Sequence, residues 1–433
     1  MRFTPLLFFS ILLCSNIPAQ DTVTVFSGAK IYPVASDPVD DGVIIIRHGR
    51  ITRIGARPEI EIPENARVID VSGKTIMPGF VDTHSHIGDG SGGDESLSLH
   101  PEVRILDAID INHPTLKKAI AGGITTVNIM PGSGHLISGQ TVYLKLREGQ
   151  RIEDLLLYNT QNPEIYGGLK MANGTNSIRE KPPFPGTRAK SASLVREMYV
   201  KAESYRKKRT AAKDDPDKLP ERDLQMETLL EVLDGRRLVH FHTHRHDDII
   251  TVLRLAKEFG FRIILHHVSE GWKVADQIAA AGVPCSIILI DSPGGKLEAV
   301  NLLNTSGGIL ERAGVDVAFH SDDPINDSRL FLRNAALAVR EGMTIDKALE
   351  GLTLAGARML DLQDRIGSLE IGKDADLVIL SGDPLSVYTH VEQTWVEGRL
   401  MFDRSNPEDR KYAVGGYDVF RGGQGHVDIG GLE

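Results

Sequence analysis

From residue 21 to residue 76, apolar and polar residues alternate in short runs: "TVTVFSGAKIY", "GVIIIRHGRITRIG" and "ARVIDVSGKTI", punctuated by Gly42 and Gly49. Period-two alternation interrupted by glycine predicts short strands and hairpins. The far end repeats the style in "ADLVILSG" and "VEQTWVEGRLMF". A β-rich unit built from both chain ends is therefore expected. Between them the pattern changes. Apolar runs recur, each followed by a helical stretch: "GFVDTHSHI", "GITTVNIMP", "TVYLKLRE", "YGGLKMA", "RLVHFHTH", "FRIILHHV", "VPCSIILID" and "VDVAFHSD". Helical patterns such as "DIITVLRLAKEFG" and "EGWKVADQIAAAG" lie between them. Buried parallel strands read as continuous apolar runs, and strand–helix alternation predicts a parallel sheet. The eight runs span residues 80–322, close to the size of an eight-fold α/β barrel.

The expected divisions are an N-terminal segment of residues 1–20, a first β-rich part over 21–78, a barrel over 79–360, a second β-rich part over 361–412 and a glycine-rich tail over 413–433. Residues 176–236 lengthen one connection, and "ESYRKKRTAAKDDPDKLPERD" reads as a solvated helix end and loop. The first segment, "MRFTPLLFFSILLCSNIPAQ", has one arginine, an apolar run from Leu6 to Leu13 and a short polar stretch. It reads as an export signal cleaved near Ala19–Gln20, placing the mature chain in a periplasm or outside the cell. The run is too short to span a membrane, and Leu13 is too large for a lipid-anchor site at Cys14. Cleavage leaves Cys285 alone, so no intrachain disulfide is expected, and its apolar context suits an inert buried thiol.

Composition changes this picture little: 41% hydrophobic and 25% charged residues suit a globular protein with a large core. The net charge of -10 argues against nucleic-acid or anionic-membrane partners, which favour a basic face.

The candidate chemistry begins in "MPGFVDTHSHIG". His84 and His86 lie two apart, so on a strand both imidazoles face one side. One such pair among 15 histidines carries little information alone. If Asp82–His86 ends the first barrel strand, however, the pair sits on the face where barrel active sites form. Three further strand ends offer matching groups. "RLVHFHTHRHDD" carries His240, His242, His244 and His246, which cannot all bind one metal. "RIILHHVSEG" ends at His266 and His267, whose side chains point opposite ways on a regular strand. "VDVAFHSDDP" ends at Asp322 and Asp323. Imidazole with carboxylate suits zinc or a similar divalent ion.

This succession of "VDTHSH", histidines at two later strand ends and a final "HSD" resembles the amidohydrolase superfamily, and more narrowly its branch of imidazolonepropionase-related, often secreted, enzymes. "GGITTVNIMPGSGHLISGQ", "KMANGTN", "HTHRHDDI" and "GSLEIGKDADLVILSGDP" extend the resemblance over nearly all of the mature chain. It implies a distorted (β/α)8 TIM barrel plus a small β-sandwich. By position it implies that His84, His86, His242, His267 and Asp322 are metal ligands. It further implies a fourth-strand lysine, carboxylated by carbon dioxide, bridging two metals. Lys170 is the candidate and Lys145 in "TVYLKLREG" the reserve.

The expected activity is hydrolysis of an amide-type C–N bond, linear or cyclic, a dipeptide or acyl-amino acid included, with water activated by one or two divalent ions, zinc foremost. Asp322 takes the proton from water and hands it to the leaving nitrogen. His244 and Arg245 follow the fifth-strand ligand into the pocket mouth, where Arg245 either grips a substrate carboxylate or pairs with Asp247 or Asp248. His320 departs from the small residue common in relatives, and reaches the substrate or hydrogen-bonds within the barrel. The alternative within the family is a mononuclear deaminase or cyclic-amide hydrolase in which Lys170 plays no part. From another class comes a non-catalytic exported metal- or solute-binding protein. The expected partner is a small-molecule substrate, with a homo-oligomer, a dimer by default, as the assembly.

Overall fold

Strand register, rather than strand content, is where the chain adds to its sequence pattern. A computed structural model describes residues 23–90, 92–94, 96–178, 184–289 and 296–415. The expected export segment with Cys14, and the tail from residue 416 on, lie outside the described residues. The N-terminal alternating runs form β1 (Thr24–Ile31), β2 (Val39–Arg47), β3 (Arg50–Ala56), β4 (Arg67–Asp70) and β5 (Thr75–Pro78). The central runs form β6 (Phe80–Ser85), β7 (Ile124–Ile129), β8 (Ile137–Gln140), β9 (Val142–Lys145), β10 (Leu169–Ala172), β11 (Val239–Thr243), β12 (Ile263–His267), β13 (Cys285–Ile287) and β14 (Val317–Phe319). β15 (Leu377–Leu380), β16 (Val391–Val396) and β17 (Arg399–Asp403) close the series.

Both chain ends join one eight-stranded sheet ordered β17-β16-β15-β5-β1-β2-β3, with β4 on β1. The antiparallel pair β5–β15 is the joint between them. Phe26 and Trp395 meet edge to face at 5.0 Å in the apolar cluster of this sheet, an arrangement worth about 0.5–1.5 kcal/mol beyond the area it buries.

The central strands and their helices give a mixed α/β, TIM-barrel-like fold. They form a six-stranded sheet, β14-β13-β12-β11-β10-β8, and a three-stranded sheet, β6-β7-β9. β6–β7 and the series β10 to β14 are parallel, as the sequence predicts. The run "TVYLKLRE" is different: β9 pairs antiparallel with β7, and β8, not foreseen, pairs antiparallel with β10. A short apolar run does not encode its direction. Here the chain reverses over residues 130–136, between β7 and β8, too short a link for a parallel crossover, and β8 and β9 then follow one another in the same direction. Beyond β14 the backbone reaches β6: Asp322 N–H donates to the His84 carbonyl at 2.9 Å, and His86 N–H donates to the Asp323 carbonyl at 3.0 Å.

Inward positions along β11 read Leu238, His240, His242 and His244. Leu238 packs with Ile264, Ala318, Ala355 and Met359 in an apolar layer, and the imidazoles follow toward the carboxyl ends. The outward residues Val239 and Phe241 join the main core. Cys285 is buried, and burial raises its thiol pKa, as expected of an inert cysteine.

Lys145 ties the two parts together. Its fully buried ammonium bonds to Asp374, lies 3.0 Å from Asp376 and 3.4 Å from Glu397. Burial disfavours its charge, but the three carboxylates outweigh burial and raise its pKa. Lys145→Met should therefore destabilise the chain by about 3–5 kcal/mol, because it leaves the buried Asp376 carboxylate without its counter-ion. Denaturant unfolding measures this, and an unchanged midpoint would show the cluster to be energetically idle.

Candidate metal centre

Period-two alternation puts His84 inside the fold at the end of β6, and His86 follows it past the strand end. Four groups converge there. His84 Nε2 lies 3.0 Å from Lys170 Nζ, 3.3 Å from His86 Nε2 and 3.4 Å from Asp322 Oδ1. His86 Nε2 lies 3.1 Å from the same carboxylate oxygen. His86 Nδ1 donates to the Met130 carbonyl at 2.8 Å. A carbonyl only accepts, so Nδ1 carries a proton and Nε2 is the atom left to meet Asp322 or a cation.

The second group is His242, His244 and His267, each offering a nitrogen within 4.8 Å of the others. His242 and His267 have ring centroids 4.2 Å apart. On a regular strand His266 and His267 would face opposite ways. The structure differs because His267 has φ 70° and Val268 φ 40°. This left-handed turn, costly for side-chain-bearing residues, swings His267 inward, so both imidazoles enter the interior. Asp322 has φ 52° and lies beyond the end of β14, so it and Asp323 occupy a turn rather than an extended strand.

Burial sets the electrostatics. It lowers the pKa of His84, His242 and His267 well below the usual imidazole range, and Lys170, other histidines or Lys296 add to the effect. Burial is also the main reason that Lys170 falls to about 7. For Asp322, burial opposes ionisation, but the His86 hydrogen bond and the charges of His86, His320 and Lys170 overcome it and depress its pKa. The donor set suits a divalent cation. Both nitrogens of His242, and Nε2 of His244 and His267, are buried and have no hydrogen-bond partner among the described residues. Buried polar atoms left in that state cost about 1–3 kcal/mol each unless something binds them.

Of the remaining expected residues, Arg245 and Lys145 lie apart from this donor set, while His320 touches it. Arg245 is half-buried, with its guanidinium in two hydrogen bonds to Asp247, 3.0 and 2.8 Å. His320 Nδ1 bonds Ser286 Oγ at 2.8 Å and its Nε2 faces His267 Nδ1 at 3.4 Å, so it is engaged within the buried interior. His246 bonds Glu270 at 2.6 Å, outside the centre. Lys145 belongs to the ionic cluster described above, not to this site.

The amidohydrolase family model matches residues 75–401. The chain belongs to the amidohydrolase family. It is an enzyme of that family, which sets aside a non-catalytic binding protein. An amidohydrolase from Thermotoga maritima MSB8 is 34% identical, with a TM-score of 0.82, over 88% of this chain and 100% of that one. Amidohydrolase tasK of Hapsidospora irregularis is 27% identical over 84% of this chain, which spans 40% of that protein's length. An imidazolonepropionase of Rhizobium rhizogenes is 25% identical over 84% of this chain and 92% of that one.

Three supports of this amidohydrolase's site escaped the sequence reading. Asp82, fully buried, accepts from His84 N at 3.2 Å, from Ser321 N at 3.0 Å and from Ser321 Oγ, so it joins β6 to the turn carrying Asp322. Burial raises its pKa to about 7, against the effect of those bonds. Ser269 Oγ bonds His244 Nδ1 at 2.7 Å. Beneath the centre, Tyr143, His240 and His266 form a hydrogen-bonded chain of 2.9 and 3.0 Å links. The signal for Asp82 was present: an acid at an inward position of an otherwise apolar run.

Proposed function

We propose that the enzyme hydrolyses an amide-type C–N bond, linear or cyclic, with one or two divalent cations, zinc foremost, at the centre described. The convergence of His84, His86, Lys170 and Asp322 beside the partnerless nitrogens of His242 and His267 carries this reading. His84, His86 and Asp322 would hold one cation, His242 and His267 the other, with Lys170 as the bridge once carboxylated. The cation supplies Lewis acidity, lowering the pKa of water and polarising a carbonyl.

The chain's own groups do the rest. Asp322, kept ionised by its His86 contact, receives the proton of the attacking water on its carboxylate. It then returns that proton to the leaving nitrogen. Asp82 holds His84 and Ser321 by their backbones, fixing the distance between β6 and Asp322. The buried imidazoles are neutral and offer lone pairs instead of repelling a cation. The fold part of the reading is a distorted (β/α)8 barrel with a small β-sandwich, supported by the Asp322–His84 and His86–Asp323 backbone bonds.

The imidazolonepropionase similarity, over most of both chains, favours a second reading: a mononuclear cyclic-amide hydrolase that leaves Lys170 unmodified. Screening dipeptides, acyl-amino acids and cyclic amides tests both. Turnover should be lost on chelation and return with zinc. Turnover indifferent to chelator would defeat the metal-dependent reading, and one ion per active chain would select the mononuclear form.

A further inference from the structure

His244 lies next to His242 at the mouth of the barrel, yet its surroundings resemble those of a ligand more than of a residue meeting substrate. It is 6% exposed. Its Nδ1 is taken by Ser269 Oγ at 2.7 Å, and Ser269 is itself buried. Its Nε2 has no hydrogen-bond partner among the described residues. The nitrogens that His242, His244 and His267 offer lie within 4.8 Å of one another, and the His242 and His244 rings are 4.6 Å apart. The backbone holds this arrangement: Glu270 N donates to the His244 carbonyl and Val268 N to the Thr243 carbonyl, both at 2.9 Å. Metal-binding histidines characteristically have one ring nitrogen fixed by a second group and the other aimed at the ion. His244 meets both conditions.

We propose that His244 is a third imidazole ligand, so that His242, His244 and His267 form a three-histidine cation site oriented through Ser269. This rests on the metal-dependent reading above and refines it. Three neutral imidazoles are a sufficient protein donor set for zinc, with the fourth position left open. The site then does not depend on Lys170 to hold its ion, whereas the His84–His86–Asp322 side, with Lys170 Nζ 3.0 Å from His84 Nε2, does. Two variants follow. His244→Gln removes the imidazole while keeping a polar side chain of similar length. Ser269→Ala keeps the imidazole and removes the group that orients it.

The test uses the full chain, loaded with zinc or cobalt and titrated with a competing chelator. Melting temperature identifies folded samples. Wild-type protein should show a cobalt absorption spectrum and zinc-edge X-ray absorption dominated by imidazole nitrogen. In His244→Gln one ion should be lost or bound at least about 100-fold more weakly, with the nitrogen count per metal reduced. In Ser269→Ala the same ion should bind about 10–100-fold more weakly, with the nitrogen count unchanged. If His244→Gln keeps wild-type metal affinity and spectrum while only KM rises, His244 faces the substrate and the proposal is overturned. Should His244→Gln not fold, unchanged affinity in Ser269→Ala overturns it. Failure of wild-type protein to bind divalent ions at all is a separate outcome: it defeats the metal-dependent reading itself, and this proposal with it.

Discussion

Asp322→Asn should keep the fold and most of the metal while lowering kcat by about 10²–10⁴-fold, the usual worth of positioned acid–base assistance. The position is strained, with φ 52°. Asparagine is among the few residues that tolerate the left-handed region, so the turn survives the change. His84, His86, His242 and His267 remain to hold cations. Only the carboxylate that accepts and returns a proton is gone. Asp323→Asn is the control. Asp323 is buried and takes two short contacts from Lys118 Nζ, 2.8 and 2.7 Å, and one from Ser328 N at 2.9 Å. Its replacement should lower stability, since it breaks a buried pair, yet leave kcat per folded molecule nearly intact. Metal analysis, melting temperature and steady-state kinetics on both variants decide the matter. The reverse order of effects would move the proton-transfer role to Asp323.

Lys170→Ala should lose one of two bound ions and at least about 10²-fold in kcat/KM, since even the outer partners of metal ligands are worth about 10–100-fold. The lysine is fully buried, 3.0 Å from His84 Nε2, and burial brings its ammonium down to about 7. Near neutral pH a substantial fraction is therefore the free amine. Only the amine adds carbon dioxide, losing one proton to become a carbamate with two oxygens for two cations. Raising the pH through 7 before metal loading should favour the modified form, as should added bicarbonate. Short carboxylic acids should partly restore the variant by supplying the missing oxygens. A variant with two ions and full activity would show that Lys170 bridges nothing.

The sequence exposed the site unevenly, for physical reasons. His84 and His86 were legible because a two-residue period on a strand puts side chains on one face. The parallel strands β10 to β14 were legible as continuous apolar runs. His267 and Asp322 were legible as residue types at strand ends, but their approach depends on left-handed backbone turns that no local propensity favours. The direction of β9 was hidden, because so short a run pairs equally well either way until the chain reverses over residues 130–136. Ser269 was hidden for another reason: a serine two residues past a histidine pair is ordinary loop chemistry until His244 folds over it. Lys145 looked like a second candidate for carboxylation, and only carboxylates more than 220 residues away in sequence show why it remains an ammonium.

Those distant carboxylates make the central unit non-portable. Asp374, Asp376 and Glu397 are supplied by the C-terminal end of the chain, but their counter-charge is embedded in β9. A chain trimmed at the apparent boundary near residue 360 would strand an ammonium in an apolar interior, and the complementary fragment would carry Asp376 without its counter-charge, with only Arg365 beside Asp374. Grafting this active site onto another scaffold, or exchanging the terminal strands with a homologue's, therefore means moving the lysine and its acids as one inheritance. New chain ends for circular permutation belong instead in the exposed link after the long helix Arg188–Ala211, where cutting the backbone separates no buried charge from its partner.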